Sequence, residues 1–209
     1  PYFNASPNHA RMAAISGVKP YQANETKRLA AAKALLEKHG YSTAKPFKIN
    51  LHWGGPTQER RVGTAALMVA AAAKVGIEIV SKPDATWSQK LAGTAGQDAQ
   101  FFAYVQTSTL MTGLRTIYGN DAGKARPGNH IQWINPIVER NLARHSDEAL
   151  TPEQAFRVNS NFEKQYFKDA VGLPLFQHAS VAAAVRTLKN VKPGPLAPNI
   201  VWNYWEWSY

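Results

Sequence analysis

The stretch from residue 47 to residue 105 constrains the fold of this 209-residue chain more than any other part. Phe47-Lys48-Ile49-Asn50-Leu51-His52-Trp53 alternates apolar and polar residues, the period-2 pattern of a strand. Gly54-Gly55-Pro56 breaks it, and Thr57 can cap a long helix running to about Val75, closed by Gly76. Ile77-Glu78-Ile79-Val80 reads as a second strand and Trp87–Leu91 as a short helix. Phe101-Phe102-Ala103-Tyr104-Val105 is nearly all apolar, as expected of a strand covered on both faces. Strand, helix, strand, helix, strand implies a parallel sheet joined by right-handed crossovers, so the fold class is α/β.

Composition sets the remaining bounds. Hydrophobic residues make up 44% and charged residues 18%, which excludes a disordered polyelectrolyte and provides a sizeable core. Without cysteine, disulfides, thiolate zinc sites and thiol nucleophiles are excluded. The most apolar run, Ala65–Ala73, is too short to span a bilayer. The chain opens at Pro1 with no initiator Met, no basic n-region and no apolar h-region, the expectation being a mature protein or an excised piece.

The flanking regions carry clear helix signals. Asn24 is a good N-cap, and Leu29, Ala32, Leu35 and Leu36 recur at helical spacing up to Gly40, predicting a helix over 25–39. Residues 1–23 are expected to be irregular. Residues 106–134, with five glycines and prolines, read as a long lid-like loop. Asn135-Pro136 and Thr151-Pro152-Glu153-Gln154 each open a helix, the second with a capping box. Residues 173–178 and 181–188 are expected as strands. The last eight residues hold three of the six tryptophans, Trp202, Trp205 and Trp207.

Catalytic and metal-binding signatures are missing. The six histidines are scattered, with no His-x-His or His-Glu-x-x-His pair. Gly119–Ala125 resembles a phosphate loop but has one residue too few between its glycines and Ala125 in place of Ser or Thr. There is no nucleophile elbow and no Gly-x-Gly-x-x-Gly after any strand. No enzyme activity, catalytic residue, metal or cofactor is expected. Lys and Arg total 24 against 14 Asp and Glu, a net charge of +10. The longest basic clusters are the pairs Lys27-Arg28 and Arg60-Arg61, so a solvated basic surface is the plainer reading. A basic α/β module binding nucleic acid or another polyanion, and an enzyme using the sheet edge, stay open as alternatives.

Five segments in order carry a resemblance. Leu29–Tyr41, the helix running into Gly76–Ile79 with Trp87 and Leu91, Asp98–Val105, Trp133–Glu139 and Leu173–Gln177 resemble successive motifs of the extracytoplasmic solute-binding proteins of peptide ABC importers, the oligopeptide, dipeptide and nickel type. The resemblance covers about residue 20 to residue 209. It implies the C-terminal lobe of a periplasmic-binding-protein-like fold of type II, with the first lobe missing. It also implies capture of a peptide or peptide-like ligand between lobes, delivery to ABC permease subunits, and an extracytoplasmic location, lipid-anchored through a missing N-terminus. No nucleic acid partner is expected on this reading. Residues 1–23 would be the hinge-side segment, 24–197 the lobe, and 198–209 an aromatic tail returning to the first lobe or supporting self-association.

The same resemblance assigns ligand-binding positions. Trp87 matches a cleft tryptophan of the family. Tyr104, Gln106 and Thr107 fall on a Gly-Trp-x-x-Asp segment whose Asp receives the peptide ammonium; Thr107 stands where that carboxylate would be, a departure from the pattern. Phe176, Gln177 and His178 match the last strand near the cleft, His178 being better explained as a structural histidine and left out of the ligand-binding set. Trp53 joins the set because it closes the first strand, at the edge where open α/β sheets collect ligands.

Overall fold

The computed structural model describes residues 7–15, 24–91, 98–101, 113–176, 181–194 and 200–209. The chain divides into two units, 18–103 and 1–17 with 104–209. That division falls inside the 24–197 stretch expected as one body.

In the first unit the alternation of residues 47–53 becomes strand β1 (Phe47–Trp53). It pairs in parallel with β2 (Ile77–Pro83), Phe47 opposite Ile77 through Trp53 opposite Pro83, and with β3 (Ala99–Gln100) on its other side. The order β2-β1-β3 places β1 at the centre. Because register partners share a face, Ile49, Leu51, Trp53 and Ile79 lie together. Leu51, Trp53 and Ala65 form the core there, with Met68, Ile79, Ala99 and Phe101 packed against them. Ala65 and Met68 come from the helix joining the strands, α3 (Glu59–Ala73), the third helix in chain order. The alternate residues Lys48, Asn50, His52, Glu78 and Lys82 occupy the other face, and Lys48 pairs with Glu78 at 3.2 Å.

Caps follow the local chemistry. Asn24 Oδ1 accepts from the backbone N–H of Thr26 at 2.9 Å and Lys27 at 3.4 Å, opening α2 (Glu25–Lys38). The expected Thr57 cap of α3 is corrected to Gln58: the Gln58 amide donates to Gly55 O at 2.8 Å, and this turn delays the helix by one residue. Gly76 (φ +92°) ends the helical segment where a Cβ would come within 2.7 Å of the Ser42 backbone, so only glycine fits. A four-residue helix, α4 (Trp87–Lys90), follows β2. The third strand, expected over 101–105, is observed at Ala99–Gln100; Phe101 follows it with its N–H donating to His52 O at 3.0 Å, and 102–105 lies outside the described residues.

The second unit begins with a correction. The segment 1–23, expected to be irregular, contains α1 (Pro7–Ile15), whose Met12 is buried. Its partners are remote in sequence: Arg11 lies over the Phe156 ring at 3.7 Å and bonds Glu153 at 2.7 Å. The expected loop 106–134 also contains structure, namely α5 (Leu114–Tyr118) and a hairpin of β4 (Asn120–Asp121) with β5 (Lys124–Ala125). The Gly119–Ala125 stretch is therefore a tight hairpin. Asn135 caps α6 (Pro136–Asp147), and Thr151 with Gln154 forms both halves of a capping box on α7 (Pro152–Lys168). Val138, Leu142 and Phe162 pack between these two helices with Leu114, Tyr118, Trp133 and Tyr166 around them. Burial pushes the Tyr118 hydroxyl well above the ordinary tyrosine range, and Tyr166 adds to it. Arg115, half-buried, is held by Glu139 and Asp147, each at 3.0 Å.

The expected strands at 173–178 and 181–188 are corrected. Val171–Phe176 and 181–188 carry no strand, because no neighbouring strand among the described residues pairs their backbone and Pro174 has no N–H to give. Lys189 bridges Ser208, and the tail forms a 3-10 helix at Val201–Glu206 around fully buried Asn203. Among the described residues no helix is long and apolar enough to cross a membrane.

Candidate ligand-binding site

Ligands of open parallel sheets lie beyond the strand carboxyl ends, where successive connections diverge. Here β1 leads to β2 on one side and β3 lies on the other, so the divergence is at the end of β1. Gly54 and Gly55 follow immediately. Gly55 has φ +70°, a conformation L side chains rarely adopt. Gly54 is buried because two side chains press on it. A Cβ there would lie 2.8 Å from Trp87 Cε3 and 3.3 Å from Arg61 Nη1.

Arg61 and Trp87 come from separate elements. Arg61 is in the first turn of α3, where Nη1 donates to Gly54 O. Trp87 opens α4, fixed by a turn in which the Asp84 carboxylate accepts from the Thr86 amide and hydroxyl at 2.8 Å each. Asp84 N donates to Trp53 O at 2.9 Å, tying that turn to the end of β1. The guanidinium carbon of Arg61 is 5.6 Å from the Trp87 ring centroid, within cation–π range.

The expected site residues are distributed unevenly. Trp53 is 3% exposed and Trp87 7% exposed. Trp53 is a core residue whose Nε1 donates to Ser81 Oγ at 2.9 Å, so at this position the edge presents the glycine backbone beyond it. Trp87 supports Gly54 and Arg61 from within. Phe176 is 57% exposed and belongs to the other unit. Tyr104, Gln106, Thr107, Gln177 and His178 lie outside the described residues. Sequence reasoning passed over Arg61; the signal was a basic residue one turn into the helix that follows a strand-ending Gly-Gly. A hollow of about 220 Å³ opens at the amino end of β2, lined by Thr43, Pro46, Val69, Ala73, Ile77 and Ile79, at the opposite end from this edge. Among the described residues no group of three or more His, Asp or Glu is placed to hold a metal ion.

The fold is that of the type II periplasmic binding proteins, α/β with a parallel sheet and helices. The solved structures it resembles are peptide and nickel substrate-binding proteins of ABC transporters. The oligopeptide-binding protein AppA of Bacillus subtilis, in complex with a nonapeptide, matches with a TM-score of 0.61 at 15% identity, over 88% of this chain and 37% of that one. Haemophilus influenzae OppA in complex with RPPGFSPFR matches at 0.59 and 18%, over 81% and 33%. NikA of Staphylococcus aureus in complex with Ni(L-His)2 matches at 0.58 and 19%, over 68% and 30%. The chain thus spans about a third of the length of these structures. No protein-family profile and no curated protein sequence matches it.

Proposed function

We propose that this chain serves as one lobe of a solute-binding protein that captures peptides or peptide-like solutes outside the cytoplasmic membrane for an ABC permease. On this reading its role is non-covalent capture, completed by closure of a further lobe over the ligand. The observation that carries the proposal is the β2-β1-β3 parallel sheet, whose central strand ends at Gly54-Gly55, within a fold shared with structures solved with bound peptides. The sheet edge would form one wall of the ligand site. The span of about a third of those structures supports the one-lobe part of the proposal.

Calorimetry of the 209-residue chain against a mixed library of short peptides tests it. One wall cannot bury most of a ligand's surface, which sites of this kind depend on, so weak binding is expected. A sub-micromolar ligand would show that the chain holds a complete site and would overturn the one-lobe reading.

A further inference from the structure

Strand β2 lies at the lateral end of its sheet, paired with β1 on one side and with no strand on the other among the described residues. The ladder decides which backbone groups point outward. Phe47 N donates to Gly76 O and Asp84 N donates to Trp53 O, so the alternation of a parallel ladder turns the backbone of Glu78, Val80 and Lys82 toward β1. The N–H groups of Ile77, Ile79 and Ser81, with their carbonyls and that of Pro83, point away from β1. Among the described residues none of these groups has a hydrogen-bond partner. Such a row is a template for one more strand. The flank of α3 above it is apolar. The hollow of about 220 Å³ is lined by Val69 and Ala73 of α3 and Ile77 and Ile79 of β2, with no β1 residue in its wall. Val62 and Ala66, both exposed, continue the Val69–Ala73 row at helical spacing, and α3 carries no charged residue from Val62 to Ala73.

Lys82 and Pro83 are residue types that blunt exposed strands, yet their placement here selects one pairing. Antiparallel pairing of β2 with a second copy, about a two-fold axis at Val80, sets Ile79 opposite the partner's Ser81 and Ile77 opposite the partner's Pro83. Ile79 and the partner's Ser81 then exchange both hydrogen bonds, and the Ile77 N–H meets the proline carbonyl. The N–H that proline lacks is missed only at the end of the ladder. Glu78 falls opposite the partner's Lys82, and Val80 opposite its own copy, as non-hydrogen-bonded pairs, whose side chains stand closest. Lys82 has no acidic partner in its own chain, and Glu78 is half-exposed beside Lys48. Neighbouring registers lose this match. An axis at Ile79 sets Glu78 against Val80; axes at Glu78, Ser81 or Lys82 oppose Glu78 to Glu78, Glu78 to Asp84 or Lys82 to Lys82, and like charges directly opposite destabilise.

We propose that the outer side of β2 is the docking surface for a second copy of this chain, paired antiparallel about Val80 with Glu78 and Lys82 exchanged across the axis. Residues opposite one another share a face, so the two α3 helices come to lie on the same side of one continuous sheet, where each covers the other's uncharged flank. The contact is isologous and closes at a dimer. It lies along the side of the sheet, away from the strand carboxyl ends, and does not depend on the peptide-binding reading.

The test is analytical ultracentrifugation of the full chain at low ionic strength, from micromolar to millimolar concentration, with amide exchange followed by NMR. Dimers should form as concentration rises, and exchange of the Ile77, Ile79 and Ser81 amides should slow with them. The Val80 and Lys82 amides, bonded to β1, should be protected at every concentration. Lys82→Glu and Glu78→Lys each set like charges opposite one another at both ends of the axis, and each should weaken dimerisation by about tenfold or more. An equimolar mixture of the two variants should recover it as a heterodimer, because every charge then faces its opposite. Melting temperatures are measured alongside; if Glu78→Lys, which also loses Lys48, does not fold, Lys82→Glu and the exchange pattern decide. A chain that stays monomeric to millimolar concentration overturns the proposal. So do dimers in which Ile77, Ile79 and Ser81 exchange as in dilute solution, undiminished dimerisation of Lys82→Glu, or a mixture no tighter than its single variants.

Discussion

Gly54→Ala is the sharpest probe of the sheet edge, because it adds one methyl group at the point where three elements meet. The new Cβ would stand 2.8 Å from Trp87 Cε3, 3.3 Å from Trp87 Cβ and 3.3 Å from Arg61 Nη1. Carbon atoms in good contact sit about 3.5–4.0 Å apart, so the indole must retreat by roughly 0.7 Å or more. It has little room to do so. Trp87 is 7% exposed, and its helix is tied through the Asp84 turn to Trp53 O. Overpacking of this kind costs ~1–3 kcal/mol. In a unit of under 100 residues each kcal/mol moves the melting temperature by ~4–8 °C, so a fall of about 5–20 °C is expected in near-ultraviolet circular dichroism. The Trp87 indole resonance should shift, and the Arg61 side-chain resonances with it, since both contact the same carbon. Gly63→Ala is the control: nothing lies within 4 Å of its added Cβ, and replacing a glycine inside a helix should stabilise by ~0.5–1 kcal/mol. Wild-type melting in Gly54→Ala, with the Trp87 indole unmoved, would show that Gly54 is not clamped between Trp87 and Arg61, and the geometry argued for the edge would fall.

Two further predictions concern the tail. Asn203 is fully buried; its Nδ2 donates to Asn190 O at 2.8 Å and Glu206 Oε2 at 3.1 Å, and its Oδ1 accepts from Trp207 Nε1 at 3.2 Å. Asn203→Ala removes these part-buried hydrogen bonds, each worth ~0.5–1.5 kcal/mol, and should release the 3-10 helix, read as faster amide exchange across 200–207 with the α6–α7 core still protected. Glu206 is held below its ordinary value of 4.5 first by its hydrogen bond from Lys192 and then by that from Asn203. A depressed folded-state value means the contribution is complete above 4.5 and is lost as pH falls through the lowered one. Tryptophan fluorescence of the tail should therefore change on acidification below that range and not between neutrality and pH ~5; a midpoint near neutrality would refute it.

What the sequence disclosed, it disclosed where the physics is local. Asn24, Asn135 and the Thr151–Gln154 box cap their helices through bonds within three residues, so each start could be placed from residue type alone. The β1–β2 register followed from alternation, because shifting it by one residue would turn Lys48, Asn50 and His52 onto the α3 face. The misses depend on remote partners. Helix α1 is anchored through Arg11 on residues more than 140 positions away, and apolar runs at 173–188 read as strands only if something pairs with them.

The site shows the same division in a more instructive form. Trp53 and Trp87 drew attention as aromatic residues at a strand end and a helix start, and such residues suit a cleft wall as well as a core. The structure buries both, and each then acts on the edge indirectly. Trp53 fixes the end of β1 through Ser81 and the Asp84 amide, and Trp87 backs Gly54 and the Arg61 guanidinium. The groups that meet them there are buried Gly54 and the half-buried Arg61 guanidinium, which no aromatic pattern marks. Arg61 was hidden by its neighbour: read as the pair Arg60-Arg61 it looks like an ordinary solvated basic patch, and Arg60 is indeed exposed. Only the fold separates them, turning one residue to water and the next onto the strand end.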